Sequence, residues 1–229
     1  MTNEDLSHLN PENLFLVESQ RVIIVDPCYR LSYDTLGIVA PVKNGHYYNY
    51  VSTQSYKSWG TRVTDLYCCS ADYFVKTGIT QSRFRTHVLE TLFNVPQTKN
   101  VLYANSDFGI NALFSEELGS IGVDSGGIGI FDEAFFKEVC EDDETNDAFY
   151  NEYANLTCWE DYKFGVTDEN NFIIRSEFRP GGTLDKGVVT RSGFGDGIYS
   201  CFGYKENEND DHYIGFRVVF IGDDESCDT

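Results

Sequence analysis

The feature that most restricts what this chain can fold into is a series of short β-branched and aromatic runs broken by glycine, crowded towards its end. Residues 171–178, 187–191, 197–204 and 212–221 each have the length and composition of a strand. In the last run Ile214, Phe216, Val218 and Phe220 fall on one face at the two-residue period of a pleated strand. The final two runs predict a hairpin across the polar, mostly acidic link 205–211. Earlier, the continuous run Val22 to Val25 ends at Asp26-Pro27, where proline supplies no amide proton to a ladder. Asn44-Gly45 between the runs 38–43 and 46–51 predicts a type I′ hairpin, with Pro41 confining its first arm to an edge or a bulge.

Helical signals are fewer. Phe84, Val88 and Leu92 form a stripe within 81–94, followed by Pro96. Asp132 is a good N-cap for a helix through Phe135, Phe136 and Val139, expected to be short because it runs into acids at 141–147, which oppose the helix dipole. The expected fold is therefore α+β and mainly β: twisted antiparallel sheets, sandwich- or barrel-like, with two or so short helices. Residues 1–229 read as a single domain with a frayed acidic tail at 222–229, and no internal repeat or low-complexity linker is evident.

Charge narrows the function classes. Thirty-seven acids against 17 Lys and Arg give a net charge of -20, a field that repels phosphate backbones, so direct nucleic-acid binding is disfavoured. The same field attracts basic protein surfaces and cations. No apolar run is long enough for a membrane helix or a secretion signal, and seven scattered cysteines without a CxxC pair fit reduced thiols better than disulfides or a structural zinc. A cytoplasmic location is expected.

Three segments stand out as candidate sites. In 192–199 (SGFGDGIY) alternate glycines leave the backbone open to close approach beside Gly195, Asp196 and Tyr199, either by a ligand or by a neighbouring strand. In 122–132 glycines lie between Asp124 and Asp132, without the spacing of a dinucleotide or phosphate loop. Asp26-Pro27-Cys28-Tyr29 places a thiol just after a strand, but none of the four histidines forms a recognisable pair with Cys28, which favours an inert thiol.

The segments VDSGGIGIFD (123–132) and GVVTRSGFGDGIY with Cys201, together with GFRVVFI (215–221) and DPCY (26–29), resemble an uncharacterised family of bacterial and bacteriophage proteins defined as a domain of unknown function. The resemblance implies a β-rich cytoplasmic domain, in the host cytoplasm if phage-encoded, and carries no activity or ligand to any position.

Two readings follow. The favoured one is a non-enzymatic acidic protein-binding module, phage-like, acting on a basic host protein surface. The alternative is a divalent-cation-dependent hydrolase or ligand-binding protein in which Asp26, Asp124, Asp132 and Asp196 converge, with Asp124, Asp132 and Asp196 as ligands for Mg²⁺ or Ca²⁺. A structural or assembly protein is a third possibility.

Overall fold

In a computed structural model of the chain, the described residues are 11–29, 36–56, 60–77, 114–157 and 180–221. The strands and helices in chain order are β1 (Leu14–Val17), β2 (Arg21–Val25), β3 (Ile38–Pro41), β4 (Gly45–Tyr56), β5 (Gly60–Ser70), α1 (Ala71–Thr77), β6 (Phe114–Val123), β7 (Gly127–Asp132), α2 (Glu133–Glu141), α3 (Asp143–Thr157), β8 (Gly181–Leu184), β9 (Gly187–Arg191), β10 (Gly197–Lys205) and β11 (Gly215–Val219). They form two open antiparallel sheets, a six-stranded one ordered β1-β4-β5-β11-β10-β6 and a five-stranded one ordered β3-β2-β7-β9-β8. The fold is thus α+β and mainly β, a sandwich rather than a closed barrel. Among the described residues, no helix is long and apolar enough to cross a membrane.

The five-stranded sheet is the middle layer, which explains why its strands read as unbroken apolar runs. On one face Val22, Ile24, Ile128, Ile130 and Val188 pack against Leu66, Ile121, Phe216 and Val218 of the six-stranded sheet. On the other, Ile23, Val25, Phe131 and Val189 pack against Phe136 and Val139 of α2 and Phe149 of α3. The period of two still operates, but both faces are apolar because both are covered. Charge stays largely outside; an exception is Arg217, whose Nε and Nη2 contact Asp65 Oδ1 at 2.8 Å and 2.7 Å.

Several expectations hold. The strand β2 stops before Asp26-Pro27, β10 and β11 pair as a hairpin, and Pro41 lies in β3 at the edge of its sheet. Asp132 caps α2 by accepting a hydrogen bond from the Phe135 amide. The expected helix at 81–94, the strand at 171–178 and the tail at 222–229 lie outside the described residues.

One expectation changes and a second needs extending. The segments flanking Asn44-Gly45 do not form a hairpin: β3 pairs with β2, whereas β4 pairs with β1 and β5, so the chain passes there from one sheet to the other. Only Gly45 of the two has a positive φ, at 145°, and Asn44 instead uses its side chain to accept from the Gln20 amide at 2.8 Å. A type I′ turn needs positive φ at both central residues. The helix capped by Asp132 is short as expected, ending at Glu141 after nine residues, but the acids that follow begin another helix. Asp142 accepts from the Thr145 amide at 2.8 Å, and Asp143 and Glu144 occupy the first turn of α3, where the dipole favours them.

An approximate two-fold relation runs through both sheets. β1-β2 and β6-β7 are equivalent pairs that cross from the six-stranded to the five-stranded sheet through the short links 18–20 and 124–126. The axis passes between the paired residues Ile24 and Ile130 in one sheet and Tyr67 and Arg217 in the other. β3, β4 and β5 correspond to β9, β10 and β11. In the second half α2, α3 and β8 are inserted between β7 and β9.

Candidate functional site

Each crossing link is held by an aspartate from the other half. Asp26, at the end of β2, is fully buried. Its Oδ2 accepts from the amides of Asp124 (2.7 Å) and Ser125 (2.8 Å). Its Oδ1 accepts from Ser125 Oγ (2.6 Å) and the Cys28 amide (2.9 Å). Reciprocally, Asp132 at the end of β7 accepts from the amides of Glu18 (2.7 Å) and Ser19 (2.8 Å) on Oδ2, and from Phe135 (3.1 Å) on Oδ1. The links match in backbone as well, since Gln20 has φ 60° and Gly126 has φ 69°. Val42 donates to the Gln20 carbonyl at 2.9 Å as Ser192 does to the Gly126 carbonyl at 3.1 Å.

This reciprocity assigns Asp26 and Asp132 a shared task. A link leaving one sheet for another carries amides that no ladder can satisfy, and a buried carboxylate accepts two of them at once. Burial by itself raises the Asp132 carboxyl, but the amides of Glu18, Ser19 and Phe135 outweigh it and hold the group below the usual range.

The remaining sequence-predicted residues gather around the Asp26 end. Asp124 follows β6, and its hydrogen bond pushes the Tyr29 phenol up to about 12. Partial burial, then the charge of Asp26, push the Cys28 thiol up to about 12, with smaller contributions from Asp124 and Asp196. Cys28, Asp26, Asp124 and Asp196 are therefore electrostatic neighbours, and their combined effect opposes thiolate formation. Gly195 closes a turn in which its amide donates to the Ser192 carbonyl (2.6 Å) and its carbonyl accepts from Ser192 Oγ (2.7 Å) and Tyr199 OH (2.6 Å). Asp132 stands apart at the far end of β7, roughly 20 Å away along a six-residue strand. Among the described residues no three His, Cys, Asp or Glu side chains are placed to hold one metal ion.

Between the Ser125 and Ser192 turns lies a cavity of about 160 Å³ whose wall includes Arg62 of β5 and Arg191 of β9. Arg191 is 5% exposed. Ser125, Ser192, Tyr153 and Thr157 supply hydroxyls to the same wall, and among the described residues no carboxylate lines it. The backbones of Gly126 and Gly195 face each other here, as a Cβ on Gly126 would lie 3.9 Å from the Gly195 Cα. Sequence reasoning reached Gly195 but neither arginine, because β9 reads as a plain apolar strand and Arg62 belongs to a stretch without a motif.

No curated protein matches the chain, and no solved structure does. A family model described as protein of unknown function, DUF4241, matches residues 15–211. With both crossing links, the whole five-stranded sheet and the cavity inside that match, the chain belongs to the DUF4241 family.

Proposed function

We propose that this domain is a non-enzymatic protein-binding module whose acidic surface docks a basic partner. The carrying observation is the turn between β9 and β10. Phe194, packed on Tyr56 yet 41% exposed, and Ile198, 81% exposed, lie on either side of the exposed Asp196, which acts on Cys28 together with Asp124. Solvent-facing apolar side chains on a turn closed by its own hydrogen bonds act as anchors, and the carboxylates beside them favour Lys- or Arg-rich segments. The net charge of -20 adds long-range attraction that weakens as salt rises. Asp26 supports this reading over cation-dependent chemistry, since both of its oxygens already accept hydrogen bonds from the protein.

A pull-down at low salt tests it, using the wild type beside a Phe194→Ser/Ile198→Ser double variant. The expected result is a basic protein retained by the wild type, released by salt and lost from the variant. Equal retention by both, or none by the wild type, overturns the reading.

A further inference from the structure

We infer that one lysine or arginine side chain of the basic partner lies in a notch on the outer face of the six-stranded sheet, over Gly122 and against Ile198, with its cation beside Asp124 and Asp196. The inference rests on the docking reading and says which part of that surface selects the partner. Ile121, Val123, Tyr199 and Cys201 belong to the core between the sheets, so Gly122 and Ile198, which alternate with them, face outward. The two are direct cross-strand partners in the pairing of β6 with β10. A residue directly opposite covers part of its neighbour in most strand pairs, but Gly122 has no side chain to do so and Ile198 is 81% exposed.

The internal two-fold relation shows that this pair is not a requirement of the fold. Val17 and Val123 precede the equivalent crossing links, and the registers of β1 with β4 and of β6 with β10 make Leu16 and His46 the counterparts of Gly122 and Ile198. Leu16 and His46 are both half-buried, beside the turn where the Leu16 amide donates to the Asp185 carbonyl at 2.9 Å. The backbone does not demand glycine at 122 either, since its φ is negative and a Cβ built there meets no described atom within 4 Å. The adjoining link differs too. Residues 42–44 join β3 to β4, whereas 192–196 join β9 to β10, and the longer link carries the exposed Phe194 and Asp196. One half thus has a filled corner and a short link, the other a bare corner beside an extended turn.

Charge decides what fits there. Asp124 follows Gly122 by two residues and Asp196 precedes Ile198 by two, both are exposed, and both act on the Cys28 thiol. An apolar surface edged by carboxylates suits Lys and Arg, whose methylene stems cover apolar surface while the charged head reaches beyond it. A wholly apolar side chain would leave the carboxylates without a counter-charge, and an acidic one would be repelled.

The test is NMR titration of the isoleucine methyl groups with N-acetylarginine amide, N-acetyllysine amide and, as neutral control, N-acetylglutamine amide, at constant low ionic strength. Gly122→Val fills the notch, and because the position is ordinary strand with room for a Cβ, the variant is expected to fold with a thermal midpoint no lower than wild type. Asp196→Asn removes one charge from the exposed turn. A saturable shift of the Ile198 methyls with one or both basic amides, and none with the glutamine amide, is expected. Its Kd should rise about tenfold or more in Gly122→Val and about threefold in Asp196→Asn. Saturation by the arginine amide alone identifies an arginine, and by the lysine amide alone a lysine. No saturable shift with either basic amide on wild type, or an unchanged Kd in Gly122→Val, overturns the inference. Should Gly122→Val not fold, an unchanged Kd in Asp196→Asn overturns it instead. The low-salt pull-down separates the two readings. A basic protein held equally by wild type and Gly122→Val but lost from the Phe194→Ser/Ile198→Ser variant overturns this inference and leaves the docking reading standing, whereas no basic protein held by wild type overturns both.

Discussion

Replacing Asp26 by alanine removes an acceptor that four donors share: the amides of Asp124, Ser125 and Cys28 and the Ser125 hydroxyl, at 2.6 to 2.9 Å. The side chain is fully buried, so water does not simply take its place. A buried donor left unsatisfied costs about 1–3 kcal/mol, but the amides of the 124–126 link can regain water by moving outward, and such losses do not add. A total of about 3–5 kcal/mol is expected, a large share of the roughly 5–15 kcal/mol that holds a domain folded. Asp26→Asn is the sharper control. Its amide nitrogen must face either the Asp124 and Ser125 amides or the Cys28 amide and Ser125 hydroxyl, donor against donor, so it should cost about as much as alanine. Urea unfolding at neutral pH, with the slope shown to be unchanged, measures both. A loss under about 1 kcal/mol in Asp26→Ala would refute the clamp, and an asparagine variant close to wild type would show that charge and acceptor number are unimportant there.

The second clamp titrates. Because the folded pKa of Asp132 is lowered, its contribution is present above the ordinary carboxyl value and is lost as pH falls through the folded value. The urea midpoint should therefore drop as pH falls below the ordinary carboxyl value, and less steeply in Asp132→Asn; parallel profiles would contradict this. Gly187→Ala should lower stability by about 1–3 kcal/mol, since a Cβ there would lie 2.4 Å from Phe131 Cδ1 and 2.9 Å from the Ile130 carbonyl oxygen. A thermal midpoint equal to wild type would show that Phe131 yields freely. Cys28, exposed but with its thiol pushed up to about 12, should react with iodoacetamide at pH 7.5 more slowly than free cysteine. An equal or faster rate, read by mass of the modified peptide, would remove the electrostatic argument.

What the sequence made legible follows from where each signal originates. Strand endings and caps are local: Pro27 stops β2 and Asp132 starts α2 through atoms within a few residues, so both were readable. Alternation in 214–220 was readable for the same reason. Asn44-Gly45 misled because an identical dipeptide serves a hairpin or a crossing between sheets, and the choice rests on the distant Gln20 amide, which Asn44 accepts from. The acids after Glu141 showed only where α2 ends, because a carboxylate that opposes one helix end also starts the next helix, and only the position of Asp142 between α2 and α3 separates the two. Asp26 and Asp132 attracted notice as glycine- and proline-marked carboxylates. Their partners lie across the sheet, so nothing local could show that they bind amides.

The internal relation was invisible for a related reason. Residues 18–26 (ESQRVIIVD) and 124–132 (DSGGIGIFD) share an acid, a serine, alternate apolar positions and a final aspartate in one spacing, too little identity to separate from any two exposed links followed by strands. Their equivalence appears only when Asp26 is seen holding one link and Asp132 the other. That arrangement also bears on which residues are available for function. A Ser-Asp contact at 2.6 Å, seen alone, invites a reading as a nucleophile and its base. Here the Ser19 amide donates to Asp132 at the opposite end of the strands as the Ser125 amide donates to Asp26, although the Ser19 hydroxyl turns to the Arg21 carbonyl. A feature repeated at both ends is explained by what both ends require, the satisfaction of a crossing backbone. Function is then to be sought where the two halves differ, and beside the docking turn the difference is Gly122 and Ile198 set against Leu16 and His46.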